Sequence, residues 1–168
     1  NFPDCSNMCH EATSVGLPRS IGVGKGTVLL EDFDRTDCIL IFGQNPGTNH
    51  PRMLATLEKA KHNGARIVAI NPLPEAGLMR FKDPQKVGGV IGAGTKLADD
   101  FLQVRLGSDM ALFRGVARLL RDAERAAPGT VFDHQFLDES CAGVEEYLDL
   151  LDDVDLDRVV EVTGVTRT

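Results

Sequence analysis

An apolar run, an amphipathic helix and a second apolar run follow one another in the middle of this chain, and that order constrains the fold most. The first run, DCILIFG at 37–43, and the second, ARIVAINP at 65–72, each end in a turn. Both have the continuous apolar character of strands that are covered on both faces. Between them, Pro51 suits the first position of a helix and Gly64 its C-terminal cap, while apolar residues recur at helical spacing over 53–60. A strand, a helix and a strand in this order predict a right-handed parallel βαβ unit.

The rest of the chain extends this unit. Residues 73–100 are rich in glycine, proline and charge, which predicts a long loop or insertion. The run FLQVRLG at 101–107 predicts a third strand, and 108–126 predicts a helix with Ser108 as its N-cap. The remaining residues, 127–168, predict short helices joined by brief loops.

We therefore expect an α/β fold, a Rossmann-like three-layer α/β/α domain with a mainly parallel sheet. A chain of 168 residues can bury roughly 70% of its unfolded surface in one such domain. Its expected parts are an N-terminal segment at 1–36, a βαβ core at 37–126 with the insertion at 73–100, and C-terminal helices at 127–168.

Charge and hydropathy argue against two classes of partner. The chain has 18 Lys and Arg residues against 25 Asp and Glu residues and a net charge of −7, whereas nucleic-acid binding depends on clustered basic side chains. No apolar run approaches the ~20 residues that cross a bilayer, and the opening residues lack the order of a signal peptide. We expect a cytoplasmic protein without a nucleic-acid or membrane partner. Its four cysteines are then expected to be reduced, catalytic or metal-bound rather than paired.

Polar turns follow all three predicted strands. Their sequences are FGQNPGTNH, INPLPE and RLGSDM, and α/β domains bind ligands beyond the carboxyl ends of parallel strands. Such turns offer N–H groups, hydroxyls and amides to phosphates and nucleobases, although turns of every kind use these residue types. The G-x-G-x-x-G motif of dinucleotide-binding domains is missing after the first strand, and GVGKGT at 22–27 departs from the phosphate-loop pattern. The turns alone leave open whether a nucleotide binds.

The segment CSNMCH at 5–10 places two thiols and an imidazole close together. Its spacing is one residue too long for haem attachment, and no second Cys/His pair follows at zinc spacing. The spacing also excludes a C-x-x-C redox pair, and an iron–sulfur cluster needs further cysteines. What remains is one thiolate beside an imidazole, in a chain whose buried cysteines can equally be inert. Cys38, inside the first predicted strand, is expected in the core.

In their order, these segments resemble the catalytic subunit of molybdopterin oxidoreductases along nearly the whole chain. The resemblance is closest to the formate dehydrogenase alpha subunit and its formate-dehydrogenase-like relatives. The family's Cys-His pair falls on Cys9 and His10. Its cofactor-binding turns fall on residues after each strand: Gly43, Asn45, Pro46, Thr48 and His50; Asn71 and Pro72; and Gly107, Ser108 and Asp109.

The resemblance implies a chemistry for these groups. Cys9 would be a catalytic residue and the ligand of molybdenum carried by bis-molybdopterin guanine dinucleotide, with His10 as the catalytic proton partner. The segment at 107–109 would recognise guanine. The implied reaction is a two-electron oxidation of formate or a similar small-molecule substrate, with electrons passing to an electron-transfer partner. The resemblance also implies an internal fragment of a larger enzyme, inactive in isolation, with any 4Fe–4S cluster outside these residues.

Two other functions stay open at this point. Glu11 follows His10 where the family commonly has glycine, and Asn71 stands where the family commonly has aspartate, so the substrate is left open. One alternative is a nucleotide-binding or regulatory α/β domain that uses the same strand ends without molybdenum. The other is a cysteine-dependent or metal-binding redox module centred on Cys5, Cys9 and His10.

Overall fold

The structure is a computed structural model that describes residues 10–82 and 91–166. Described elements, in chain order, are α1 (Glu11–Ile21), a 3₁₀ helix (Leu30–Asp34), β1 (Cys38–Phe42), α2 (Pro46–Asn49), α3 (Met53–His62), β2 (Arg66–Asn71), α4 (Ala76–Met79), β3 (Arg80–Phe81), β4 (Thr95–Lys96), β5 (Asp100–Gln103), α5 (Asp109–Ala126), α6 (His134–Ser140), α7 (Val144–Asp152) and α8 (Leu156–Thr163).

Within this part of the chain, three strands form a parallel sheet in the order β1–β2–β5. Ile39 of β1 lies opposite Ile67 of β2, and Ile70 of β2 lies opposite Leu102 of β5. The predicted insertion contributes the short helix α4 and an antiparallel pairing of β3 with β4. The predicted α/β fold with a mainly parallel sheet is confirmed.

On one face of the sheet, α3 packs against β1 and β2. Leu57 of the helix and Ile67 of the sheet are fully buried in the same cluster, and each such side chain stabilises the fold by about 1.5–3 kcal/mol. The helix begins at Met53 rather than at Pro51, because residues 50–52 form a turn whose carbonyls accept the first amides of the helix. It ends before Gly64, whose φ of +106° suits glycine after a helix.

On the opposite face, α5 packs against the carboxyl-terminal half of the sheet. Leu112 joins Ile70 and Val104 in a second buried cluster. The ring of Phe113 stacks on that of Phe42, with centroids 4.3 Å apart. Helices therefore lie on both faces of the sheet, as the sequence predicts for three layers.

The prediction that β1 is covered on both faces is wrong. Ile39 and Ile41 are buried, but Leu40 is 52% exposed and Cys38 is also exposed. The cluster beneath α5 reaches Phe42 at the end of this strand and does not include Leu40. The expectation that Cys38 lies in the core is therefore also wrong.

The third strand is shorter than its apolar run. β5 ends at Gln103, and Val104 is buried beyond it, where the N–H of Arg105 donates to Thr163 O at 3.0 Å. The chain after Gln103 thus bonds to the end of α8 instead of extending the ladder.

The predicted C-terminal helices are present, and two of them hold α5. A Cβ on Gly115 of α5 would lie 2.8 Å from Val159 Cγ1, so α8 approaches α5 closely because that position is glycine. The guanidinium of Arg118 donates to the carbonyls of Leu151 and Asp152, at 3.1 and 2.8 Å, at the end of α7. These contacts fix the helix that follows β5.

Candidate cofactor-binding edge of the sheet

The turns after β1, β2 and β5 all leave the same edge of the sheet, because the three strands are parallel. We call this the strand-end edge, formed by residues 43–50, 71–79 and 104–109. The N–H of Gly43 donates to Ile70 O at 2.9 Å, and Gln103 Nε2 donates to Pro72 O at 2.9 Å. These bonds tie the ends of β1 and β5 to the end of β2.

Two predicted site glycines have a backbone conformation that other residues adopt only with strain. Gly43 has a φ of +60° and Gly107 a φ of +76°. A Cβ built on either glycine would meet no atom within 4 Å. Each glycine therefore presents its backbone to open space, where a ligand can approach closely.

Asn45 organises the turn after β1. Its Oδ1 accepts the N–H of Thr48 at 3.2 Å, which caps the short helix α2. Pro46, at the first position of this helix, is fully buried. The Oδ1 of Asn45 thus has a structural partner, and Thr48 is exposed.

A pair of glycines that the sequence analysis did not single out packs α2 directly on α4. A Cβ on Gly47 would lie 2.5 Å from Gly77 Cα, and a Cβ on Gly77 would lie 2.7 Å from Gly47 Cα. Real Cβ atoms do not approach backbone atoms this closely. A glycine inside the NPGTNH turn was the available signal, but its partner is 30 positions away and only the fold identifies it.

The second predicted group, Asn71 and Pro72, stabilises its own turn. Asn71 is 5% exposed, and its Nδ2 donates to Leu73 O at 2.8 Å and to Glu75 Oε2 at 3.1 Å. The carbonyl of Pro72 accepts Gln103 Nε2. The side-chain nitrogen of Asn71 is therefore committed to the turn between β2 and α4.

The third predicted group begins α5. Ser108 is buried at the N-cap position, but its hydroxyl donates to Arg105 O at 2.6 Å instead of capping the helix. Asp109 is half-buried in the first turn of α5. Among the described residues no hydrogen bond to its carboxylate is found, so this carboxylate can accept a donor from a ligand.

His50 closes the turn after β1, and its ring has a neighbour that the sequence analysis missed. Gln44 Nε2 lies 2.7 Å from His50 Nδ1. His50 is exposed and Gln44 is half-buried. Both residues belong to the strand-end edge.

Of the predicted catalytic pair, only His10 belongs to the described residues. It is the N-cap residue of α1, is exposed, and its carbonyl accepts the N–H of Ser14 at 2.9 Å. Cys9, the predicted metal ligand, and Cys5 lie outside the described residues. Their roles remain predictions.

The most perturbed carboxylate of the described chain lies elsewhere. The N–H of Gly129, the imidazole of His134 and the N–H of Phe132 lower the pKa of Glu124 from 4.5 to about 2. The N–H of Val131 also donates to this carboxylate, at 2.9 Å. The carboxylate in turn raises the pKa of His134 above 6.5, mainly through their 2.8 Å hydrogen bond.

This cluster is a structural cap rather than part of the strand-end edge. Glu124 stands in the last turn of α5, 15 residues from Asp109 in its first turn. At about 1.5 Å per residue, the two are separated by about 22 Å along the helix. The carboxylate fixes residues 129–134 against the end of α5.

Over 10–82 and 91–166, no three His, Cys, Asp or Glu side chains are close enough to share a metal ion. No helix in the same ranges is long and apolar enough to span a membrane.

The chain is similar in sequence or in fold to several known proteins. No family model matches the chain. An uncharacterized oxidoreductase of Mycobacterium tuberculosis is 59% identical over 165 residues, which are 98% of this chain and 21% of the relative. Formate dehydrogenase H of Escherichia coli is 25% identical over 168 residues, 100% of this chain and 20% of that enzyme. The fold is similar to acetylene hydratase from Pelobacter acetylenicus, with a TM-score of 0.71 at 22% identity, covering 99% of this chain and 19% of that one. The chain thus spans about a fifth of the length of the relatives it matches.

Proposed function

We infer that this chain, which is homologous to one segment of the formate dehydrogenase-like oxidoreductases, supplies part of the cofactor cleft of a molybdenum-dependent enzyme. The cofactor proposed is bis-molybdopterin guanine dinucleotide, and the reaction proposed for the intact enzyme is oxidation of formate or a similar small substrate. That reaction turns formate into carbon dioxide and releases one proton and two electrons, which pass to an electron-transfer partner.

The observation that carries this proposal is the open backbone at the strand-end edge. Gly43 and Gly107 combine positive φ with empty space on their Cβ side, which suits the close approach of a phosphate or a base to the main chain of these turns. The turn after β1 would hold the phosphates, with Thr48 and His50 as exposed donors. The carboxylate of Asp109 would accept the N–H donors on the edge of guanine. The exposed donors and the acceptor carboxylate of this edge therefore suit the phosphates and the base of a guanine dinucleotide.

Two predicted side chains have a narrower role in this proposal. The Asn71 amide nitrogen and the Ser108 hydroxyl already donate to carbonyls of their own turns. They would hold the turns in place while backbone groups of the same turns contact the ligand. Asn45 would act in the same way through its bond to the N–H of Thr48.

The proposed chemistry depends on Cys9 and His10. A thiolate is a soft anionic ligand that suits molybdenum, which when bound would accept the two electrons of the substrate. The imidazole of His10 would act as the general base that takes the proton released from the substrate. His10 is exposed and opens α1, so the short segment before this helix would carry Cys9.

The test is a metal and nucleotide analysis of the intact protein, purified without oxygen. We expect molybdenum together with guanine nucleotide after acid hydrolysis, and formate-dependent reduction of a viologen dye. Nucleotide without molybdenum would instead support a nucleotide-binding domain, and zinc alone would support a cysteine-centred metal module.

Matched cysteine variants of the intact protein test the assignment of the ligand. Cys9→Ser should abolish dye reduction while leaving the protein folded, and Cys5→Ser should change little. His10→Ala should lower the rate on the order of 10²-fold, as expected for a lost general base. An inactive Cys5→Ser protein beside a fully active Cys9→Ser protein would show that the ligand is misassigned.

A further inference from the structure

Gln44 and His50 form a side-chain pair at the strand-end edge. The Nε2 of Gln44 lies 2.7 Å from the Nδ1 of His50, which is a hydrogen-bonding distance. Six positions separate the two residues, and the short helix α2 lies between them. The turn after β1 therefore folds back so that its first polar side chain meets its last.

The backbone of His50 is fixed independently of this pair. Its N–H donates to Pro46 O at 2.9 Å, and its carbonyl accepts the N–H of Met53 at 2.8 Å. The remaining freedom of His50 is the rotation of its ring about the side-chain bonds. The bond to Gln44 restricts that rotation by holding one ring nitrogen.

This bond also decides where a neutral imidazole carries its proton. With the amide N–H of Gln44 facing it, Nδ1 acts as the acceptor, and the ring proton resides on Nε2. His50 is exposed, so the Nε2–H is available as a donor beyond the protein surface.

We propose that Gln44 is a positioning residue that orients His50 and sets its tautomer, so that His50 Nε2–H donates to a phosphate oxygen of the bound dinucleotide. The ligand in this inference rests on the proposed function. The same turn offers the open backbone of Gly43, so a phosphate at this place would meet a main-chain surface and an oriented ring donor together.

The first experiment measures the chemical reactivity of the His50 ring and needs no cofactor. Intact protein from cells that cannot make the molybdenum cofactor is treated with diethyl pyrocarbonate, which reacts with an unprotonated imidazole nitrogen. Peptide mass spectrometry then gives the rate at His50. Gln44→Met keeps the length of the side chain but removes the donor, so it should release the Nδ1 lone pair and raise the rate about fivefold, the value of one ordinary hydrogen bond.

Gln103→Met is the matched control. Gln103 also lies at the end of a strand, and its amide also donates a hydrogen bond. The acceptor of that bond is the carbonyl of Pro72, at 2.9 Å, and not His50. This variant should leave the rate at His50 unchanged. Equal rates in the wild-type and Gln44→Met proteins, or equal acceleration by both variants, would overturn the positioning role.

The second experiment tests the phosphate, with GDP as the probe. GDP should protect His50 of the wild-type protein from carbethoxylation, and half-protection of Gln44→Met should need at least about fivefold more GDP. If Gln44→Met speeds the carbethoxylation of His50 but GDP protects His50 in neither the wild-type nor the variant protein, the phosphate contact would be overturned. Absence of molybdenum from protein made in competent cells would defeat the proposed function while leaving the carbethoxylation result intact.

Discussion

Replacing Gly77 by alanine would place a methyl group inside the contact between α2 and α4. The new Cβ would overlap Asn45 Oδ1 and lie 2.7 Å from Gly47 Cα and 3.0 Å from Gly47 N, whereas non-bonded carbons prefer about 3.5–4.0 Å. The Asn45 side chain could turn aside only by giving up its bond to Thr48 N–H, and the Gly47 atoms belong to the backbone and cannot turn aside. The turn after β1 must shift, and we expect a cost of about 1–3 kcal/mol, typical of inserting a methyl group into a packed contact.

Hydrogen exchange of the intact protein measures this cost where it arises. The N–H groups of Asn49 and His50 bond to the carbonyls of Asn45 and Pro46 at 3.0 and 2.9 Å, and they exchange when the turn opens. A cost of about 1–3 kcal/mol should speed their exchange between about fivefold and about a hundredfold.

Gly16→Ala provides the control for Gly77→Ala. It adds the same methyl group within α1, where nothing lies within 4 Å of the new atom. Exchange at residues 48–50 should be unchanged in this variant. Wild-type exchange in Gly77→Ala, measured on folded protein, would refute the inference that the two turns are held by a glycine–glycine contact.

The remaining predictions concern stability and its dependence on pH. Leu57→Ala should destabilise the fold by about 2–5 kcal/mol because Leu57 is fully buried, and Leu150→Ala, 60% exposed, should cost far less in denaturant unfolding. Glu124→Gln should loosen residues 129–134, seen as faster proteolysis there, while Glu139→Gln should not. Because folding lowers the pKa of Glu124 from 4.5 to about 2, its stabilisation is full above pH 4.5 and is lost as pH falls toward 2. Because folding raises the pKa of His134, its contribution to stability is full below pH 6.5 and is lost as pH rises through the raised pKa. Melting temperatures measured over a series of pH values would show this loss.

Local patterns predicted the regular elements well. The strand at 65–72 is observed as Arg66–Asn71 and the helix at 108–126 as Asp109–Ala126, because apolar periodicity and backbone breakers act within a few residues. The prediction that β1 is covered on both faces was wrong because an apolar run does not specify which elements pack against it. Whether Leu40 is buried depends on how far α5 extends over the sheet, and that is a tertiary contact.

The partners of the site side chains could not be predicted from residue type. The sequence offered Asn45, Asn71 and Ser108 as polar groups for a ligand. In the fold, Asn45 Oδ1 accepts the N–H of Thr48, Asn71 Nδ2 donates to Leu73 O, and the Ser108 hydroxyl donates to Arg105 O. Short-range geometry selects these partners, and a motif records only that a polar residue is needed.

By itself, the sequence determined the alternation of strands and helices, the parallel direction of the strands and therefore the edge at which three polar turns meet. These properties follow from local periodicity and from connections too long for a hairpin. Only the tertiary structure decided that Gly47 meets Gly77, that Gln44 holds the ring of His50, and that Glu124 caps a distant loop. Each of these contacts depends on distances of a few ångströms between groups brought together by folding, and hydrogen bonds and steric repulsion change steeply over that range.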